Sequence, residues 1–264
     1  MLYVNDIPIS VTIFPDNTSQ VWKLPDSILK ASPVAIAQIK WVFEHEGEFL
    51  HLAQLKRLLN YYGYCISLYM PYLPYGRQDK NIDNNSTFAL GTFTFLLNSL
   101  NFLDITCLDP HSDVAQGLIN HFRPIYPAKL VEQIAQLQEG TIFCYPDAGA
   151  LKKYSEVYAM SYRPHIYGEK VRDQLTGNIL SYKLVGDPSG KNVLIVDDIC
   201  DGGMTFKILA KDLLAAEANS VVLFVTHGIF SKGLKTLFDS GIQRIFTHDG
   251  EAFEDQGQII YRKI

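Results

Sequence analysis

Apolar, strand-like runs alternate along this chain with stretches of helical period, and that alternation narrows the fold more than any other feature of the sequence. Tyr64 to Met70, Ile105 to Leu108, Thr141 to Tyr145, Val193 to Val196, Val221 to Thr226 and Gln243 to Thr247 read as strands. Phe49, Leu52, Leu55 and Leu59 recur at helical spacing, as do Phe206, Leu209, Ala210 and Leu213. A helix is also predicted from Thr87 to Ser99. Strands that are apolar on both sides need cover on both faces, which parallel sheets between helices provide. Two such series meet near residue 122. The expected architecture is α/β with two lobes, residues 1–122 and 123–264, each a mainly parallel sheet flanked by helices with a cleft between them. The opening reads as a hairpin of Tyr3-Val4 with Ile9 to Phe14, turning at Asn5-Asp6. Further strands are predicted at Val34 to Phe43 and Val157 to Met160. Tyr167 to Gly177, rich in Gly and charge, reads as a mobile loop.

The composition allows a substantial core: of 264 residues, 47% are hydrophobic and 19% charged. A formal charge of -5 argues against a general nucleic-acid binder. Acidic proteins can still bind phosphates when their cations are concentrated at one place. Cys65, Cys107, Cys144 and Cys200 are far apart and lack metal-ligand spacing. They read as reduced, mostly buried thiols of a cytosolic protein. The run MLYVNDIPISVTIF is broken by Asp6 and Pro8 and has no basic start, unlike a secretion signal. No apolar run approaches membrane-spanning length.

In open parallel sheets, ligands gather at the carboxyl ends of the strands, and the polar clusters of this sequence fall there. The most informative segment runs from Val193 to Thr205. An apolar strand delivers Asp197 and Asp198. Asp201, Gly202 and Gly203 turn the chain, and a helix opens at Met204 and Thr205. Glycines let backbone N–H groups converge on an anion, and the helix N-terminus adds its dipole. Carboxylates suit sugar hydroxyls or a metal bound to them. A tight strand-turn-helix link capped by Asp201 would use the same residues.

Here the sequence resembles the phosphoribosyl-diphosphate loop of ribose-phosphate pyrophosphokinases and type I phosphoribosyltransferases. Further segments favour the pyrophosphokinases. Leu73-Pro74-Tyr75-Gly76-Arg77-Gln78-Asp79-Lys80 is similar to their nucleotide loop, and Asp109-Pro110-His111 to their D-L-H segment. Tyr145-Pro146-Asp147-Ala148-Gly149 resembles S-P-D-A-G, and Thr226 to Phe230 reads T-H-G-I-F. The resemblance covers residues 64 to 250 well and the first 63 poorly. It implies two type I phosphoribosyltransferase-like lobes, for ATP and for ribose phosphate. It also implies a diphosphokinase-type transferase that makes phosphoribosyl diphosphate and AMP for nucleotide biosynthesis.

The resemblance assigns ATP binding to Phe14, Asp16, Arg77, Gln78, Asp79 and His111. It assigns the ribose phosphate to Asp197, Asp198, Asp201, Gly202, Gly203, Met204 and Thr205. Magnesium falls to His111 and Asp147. Lys170 and Arg172, with His111, are the catalytic candidates: transfer at phosphorus needs alignment and charge neutralisation more than covalent help. Each residue also has a plainer role. Arg77 can be a surface ion-pair partner, His111 structural, Asp147 a helix N-cap, and Lys170 and Arg172 part of a solvated loop; His227 reads as structural. The partners implied are small molecules and further copies of the chain, a dimer or higher, because the Phe14 loop of the family serves a neighbour's site.

Three departures bear on substrate. The D-T-x-G-T phosphate loop reads Asp201-Gly202-Gly203-Met204-Thr205, with one hydroxyl fewer and an added apolar side chain. That weakens the donor set for a phosphate monoester and leaves room beyond the phosphate, as ADP-ribose would need on a route to NAD. The F-x-D-G-E loop reads Phe14-Pro15-Asp16-Asn17-Thr18. The family's first strand-helix unit and last helix find no counterpart. A non-catalytic regulatory homologue and a phosphoribosyltransferase are the competing readings. The joint presence of Arg77, His111, Asp147, Lys170, Arg172, Asp197 and Asp198 disfavours the first, and the Arg77 and His111 segments disfavour the second.

Overall fold

The structure is a computed structural model that describes residues 1–29, 36–157, 163–172, 179–249 and 259–261. It divides into two compact units, Met1–Ile125 and Tyr126–Ile264.

The first unit opens with β1 (Leu2–Val4) and β2 (Ile7–Pro8), antiparallel across a turn in which Asn5 and Asp6 take φ of 48° and 65°. Asn and Asp tolerate this left-handed region, and two such residues match the twist of a hairpin. The chain then forms a second hairpin, β3 (Thr12–Ile13) with β4 (Ser19–Gln20). Of the single strand expected from Ile9 to Phe14 only Thr12–Ile13 is strand, and it pairs forward with β4, while the partner of β1 is Ile7–Pro8. After α1 (Asp26–Leu29) come β5 (Ile36–Trp41), α2 (Glu48–Tyr61), β6 (Cys65–Met70), α3 (Ala89–Ser99), β7 (Ile105–Leu108), α4 (Val114–Leu118) and β8 (Phe122–Ile125).

Among the described residues the sheet runs β2-β1-β5-β6-β7-β8, parallel from β5 onward. Its core joins Ile39, Trp41, Leu68 and Met70 to Leu52, Leu55 and Leu59 of α2 and Leu90, Phe93 and Leu97 of α3. The helical spacing of those leucines is what lets one face close on the sheet. Because β8 pairs with β7 as far as Leu108 opposite Ile125, this unit ends at Ile125 rather than 122.

The second unit comprises α5 (Ala128–Ala135), β9 (Thr141–Tyr145), α6 (Ala148–Val157), β10 (His165–Arg172), β11 (Ile179–Val185), β12 (Asn192–Cys200), α7 (Met204–Ala215), β13 (Ser220–Gly228), α8 (Lys235–Phe238), β14 (Arg244–Asp249) and β15 (Ile259–Tyr261). The sheet order is β11-β10-β9-β12-β13-β14-β15, with only β10 and β11 antiparallel among the described strands. Strand alternation sends Val193, Ile195, Val221, Leu223 and Val225 to one face, under Phe206, Leu209 and Leu213 of α7. It sends Leu194, Val196, Val222 and Phe224 to the other, under Leu130 and Val131 of α5 and Tyr154 of α6. Burial on both faces explains why these strands are apolar throughout.

Two expectations are corrected here. Val157 ends α6 instead of opening a strand, and residues 158–160 lie outside the described residues. Tyr167 to Arg172 is strand rather than loop: β10 follows β9 only as far as Tyr167 opposite Tyr145, then continues against β11. Backbone pairing with β11 makes this extension a strand, and such pairing does not require an apolar period. Residues 173–177 lie outside the described residues. No helix among the described residues is long and apolar enough to cross a membrane.

Candidate active site

In the second unit the polar residues converge where β9 and β12 end. Asp197 lies opposite Val225, and Ile199 and Cys200 opposite His227 and Gly228, so β12 and β13 run together past the last core residues. The carboxylates therefore emerge from a fixed strand rather than from a free loop. Asp198 is 4% exposed, and its amide donates to Oδ1 of Asp197 at 2.9 Å. Burial, then the neighbouring charges of Asp198 and Asp147, raise Asp197 well above the usual carboxylate range. Asp147, at the end of β9, accepts from the Ala150 amide at 2.9 Å and so caps α6. Capping and charge coexist: Asp147 starts the helix and still adds to the field at Asp197.

Lys153 of α6 balances part of this charge. Its Nζ lies 3.3 Å from Oδ2 of Asp198, and the two side chains are 13% and 6% exposed. The sequence reading did not single it out. Lys153 stands six residues after Asp147, at a spacing that carries it past the cap and inward beside buried Tyr154, whereas adjacent Lys152 is exposed.

The 201–205 turn is held from behind. The amides of Ile229 and Phe230 donate to the Cys200 carbonyl at 2.9 and 3.0 Å, and the Ser231 hydroxyl donates to Asp201 Oδ1 at 2.6 Å. The segment from Thr226 to Ser231 thus braces the turn, and His227, a buried residue of β13, is part of that brace. Gly203 takes φ of 73°, and a Cβ there would lie 2.8 Å from Leu237 Cδ2. Only glycine suits the position that opens α7. Gly202 differs: a Cβ would meet nothing closer than Lys232 Cγ at 3.5 Å. Met204 is 61% exposed at the first position of α7. Burial, with help from Asp197 and Asp201, pushes the Cys200 thiol up to about 12, so it is no nucleophile.

In the first unit Arg77, Gln78 and Asp79 follow β6, while His111 follows β7, its parallel neighbour. The loop is shaped by Tyr75, at φ of 62° with its hydroxyl donating to Glu46 Oε1 at 2.8 Å, and by buried Gly76. The Gln78 carbonyl accepts from the Leu90 amide at 3.2 Å, tying the loop to the start of α3 and leaving the exposed Arg77 and Gln78 side chains outward. Phe14 and Asp16 stand apart on the β3–β4 hairpin. Asp16 Oδ1 accepts from the amide and hydroxyl of Thr18 at 3.0 and 2.7 Å. These bonds close the turn and lower the Asp16 carboxyl. The replacement of the family's acid by Thr18 therefore gives Asp16 a partner within its own hairpin.

No protein-family model matches the chain. It is 29% identical over 224 residues to a ribose-phosphate pyrophosphokinase of Corynebacterium efficiens, covering 80% of this chain and 65% of that one. A ribose-phosphate pyrophosphokinase of Pyrococcus abyssi is 28% identical over 239 residues, 87% of this chain and 79% of its own length. The crystal structure of phosphoribosylpyrophosphate synthetase from Mycobacterium smegmatis has the same fold: TM-score 0.80 at 19% identity, over 97% of this chain and 86% of that one. The chain is thus similar in sequence to ribose-phosphate pyrophosphokinases and shares the fold of a solved phosphoribosylpyrophosphate synthetase.

The chain spans 65% of the length of the Corynebacterium relative. Lys170 and Arg172 lie in β10, opposite Tyr182 and Ile179 of β11; their side chains lie outside the described residues. The carboxylates of Asp147, Asp197 and Asp198 form a site short of positive charge, with donor chemistry that suits magnesium. Among the described residues no three His, Cys, Asp or Glu form a group that could hold a metal by themselves. An ion there would draw its remaining ligands from phosphate and water.

Proposed function

We propose that this chain transfers the β,γ-diphosphate of ATP to the anomeric hydroxyl of a ribose 5-phosphate group, giving the sugar 1-diphosphate and AMP. The observation that carries the reading is the delivery of Asp197 and Asp198 by a buried parallel strand directly into the glycine turn that opens α7. Asp197 and Asp198 accept hydrogen bonds from the ribose hydroxyls, and the N–H groups of the 201–205 turn take the phosphate at the helix N-terminus. Arg77, Gln78, Asp79 and His111 bind the nucleotide, with Phe14 and Asp16 supplied by another copy in a homo-oligomer. The anomeric oxygen attacks the β-phosphorus in line, the bond to the α-phosphate oxygen breaks, and the hydroxyl proton leaves to solvent. Lys170 and Arg172 neutralise the transferred group. Magnesium held by Asp147 and His111 together with phosphate oxygens would supply further charge neutralisation when bound.

Two acceptors fit this chemistry. The names of the relatives, which specify a ribose phosphate, support ribose 5-phosphate. ADP-ribose is favoured by one observation: an added Cβ at Gly202 would make only ordinary contacts, the nearest with Lys232 Cγ at 3.5 Å, and Met204 two residues on is exposed, which suits a phosphodiester continuing outward. The deciding experiment incubates the protein with magnesium, ATP and either acceptor, and follows AMP and the new diphosphate by ion-exchange chromatography. AMP with ribose 5-phosphate alone fixes the first acceptor, and AMP with ADP-ribose alone fixes the second. AMP with neither rejects the catalytic reading in favour of a regulatory homologue.

A further inference from the structure

The turn at 201–205 is bordered by a second loop, residues 229–233, which links β13 to α8. Its path is fixed from end to end. The amides of Ile229 and Phe230 bond to the Cys200 carbonyl, and the Ser231 hydroxyl donates to Asp201 Oδ1 at 2.6 Å. The Gly233 amide then donates to the Phe230 carbonyl at 2.8 Å, with Phe230 and Gly233 at φ of 48° and 71°. A loop so tied carries the residue between Ser231 and Gly233 to a set place. That residue is Lys232, and its Cγ lies 3.5 Å from where a β-carbon on Gly202 would stand. The stem of the lysine therefore borders the turn at its glycine.

Charge gives this placement its meaning. The turn follows Asp197 and Asp198 and contains Asp201, so anions are poorly served by the side chains around it. Lys153 is already engaged by Asp198 at 3.3 Å. Lys232 is exposed and has no ion-pair partner among the described residues. Backbone N–H groups at the start of α7 suit one phosphate. A phosphate esterified onward to another carries further negative charge past the turn, among carboxylates. A lysine ammonium meets such a group as a point charge. The two segments that form the turn's rim also expose apolar side chains, Met204 at 61% and Ile229 at 48%. They offer contact to whatever group the second phosphate carries.

We propose that Lys232 is a specificity-determining residue of the acceptor site, its ammonium pairing with a second phosphate of the acceptor beyond the one that the 201–205 turn takes. The preferred acceptor is then a ribose whose 5-position carries a diphosphate ester, and a 5-monophosphate leaves Lys232 in solvent. This assignment rests on the transfer reaction proposed above, since it places the acceptor's first phosphate in the turn. It adds to that reaction a side chain that chooses between acceptors and touches no reacting atom.

Calorimetric titration of two acceptors tests it. Ribose 5-phosphate and ADP-ribose are each titrated into the whole chain, into Lys232→Met and into Lys232→Arg. Magnesium and a saturating non-hydrolysable ATP analogue are present throughout, so that the adenosine end of ADP-ribose cannot occupy the nucleotide site. Lys232→Met keeps the stem and removes the charge, and the side chain is exposed, so the core stays intact. The expected result is ADP-ribose binding about tenfold weaker in Lys232→Met, ribose 5-phosphate binding unchanged, and Lys232→Arg close to the parent. Equal weakening of both acceptors overturns the proposal, because Lys232 would then meet the first phosphate. Unchanged binding of both, or no binding of ADP-ribose to the parent at millimolar concentration, overturns it as well. These titrations need no turnover, and AMP formation from ATP is assayed separately. AMP from ribose 5-phosphate without ADP-ribose binding rejects the role of Lys232 and keeps the reaction. Charge-selective binding without AMP from either acceptor rejects the reaction and keeps the recognition.

Discussion

Lys153 and Asp198 form a nearly buried ion pair at the centre of the acidic site. Pairs of this kind add little compared with apolar packing, but removing one partner strands the other. Lys153→Met is therefore expected to destabilise the protein by about 3–5 kcal/mol in chemical denaturation. Lys153→Met with Asp198→Asn together should recover much of that loss, since no lone charge remains. Asp197 behaves in the opposite sense. Its carboxyl is raised in the folded state, first by burial and then by Asp198 and Asp147. The folded protein thus binds its proton more tightly than the unfolded chain. That contribution is full below the unfolded value near 3.8 and is lost as pH rises through the raised folded value. Asp197→Asn, which cannot ionise, should match the parent at low pH and become progressively more stable than it as pH rises. Denaturation midpoints of the two proteins across pH would check this, and a gap that closes on the way up would refute the assignment. The variant should also lose activity, because the destabilising charge is the one proposed to meet the ribose.

The turn between β12 and α7 distinguishes two adjacent glycines. Gly203→Ala places a Cβ at positive φ and 2.8 Å from Leu237, with an expected cost of at least about 1–2 kcal/mol. Gly202→Thr meets only ordinary contacts and should fold normally. It restores the missing hydroxyl while filling the space beyond the phosphate. Measured kcat/KM should therefore shift toward ribose 5-phosphate and away from ADP-ribose. An unchanged ratio would mean that Gly202 does not set the acceptor. This element was legible in the sequence because burial on both faces makes Val193 to Val196 apolar throughout and the glycines sit where the backbone turns. Other elements were not. Lys152 and Lys153 look alike in the chain, and only the register of α6 separates the exposed one from the buried one. The β10–β11 strands were missed because backbone pairing makes a strand without requiring an apolar period in the sequence. Nor does the sequence show that Thr18 hydrogen-bonds Asp16 within its own hairpin.

At the scale of the molecule, each unit closes its own core. Leu52, Leu55, Leu68 and Leu90 belong to the first unit's cluster, and the second unit's strands are packed under α5, α6 and α7. A ligand that binds a folded unit suppresses that unit's opening, by about 2.7 kcal/mol at a hundred times its dissociation constant. Amide exchange followed by mass spectrometry can read the two responses separately. A non-hydrolysable ATP analogue with magnesium should slow exchange at residues 76–80 and 109–112, and the sugar phosphate alone should slow it at residues 199–206. The acceptor that protects the second set at the lower concentration is the one the turn was built for.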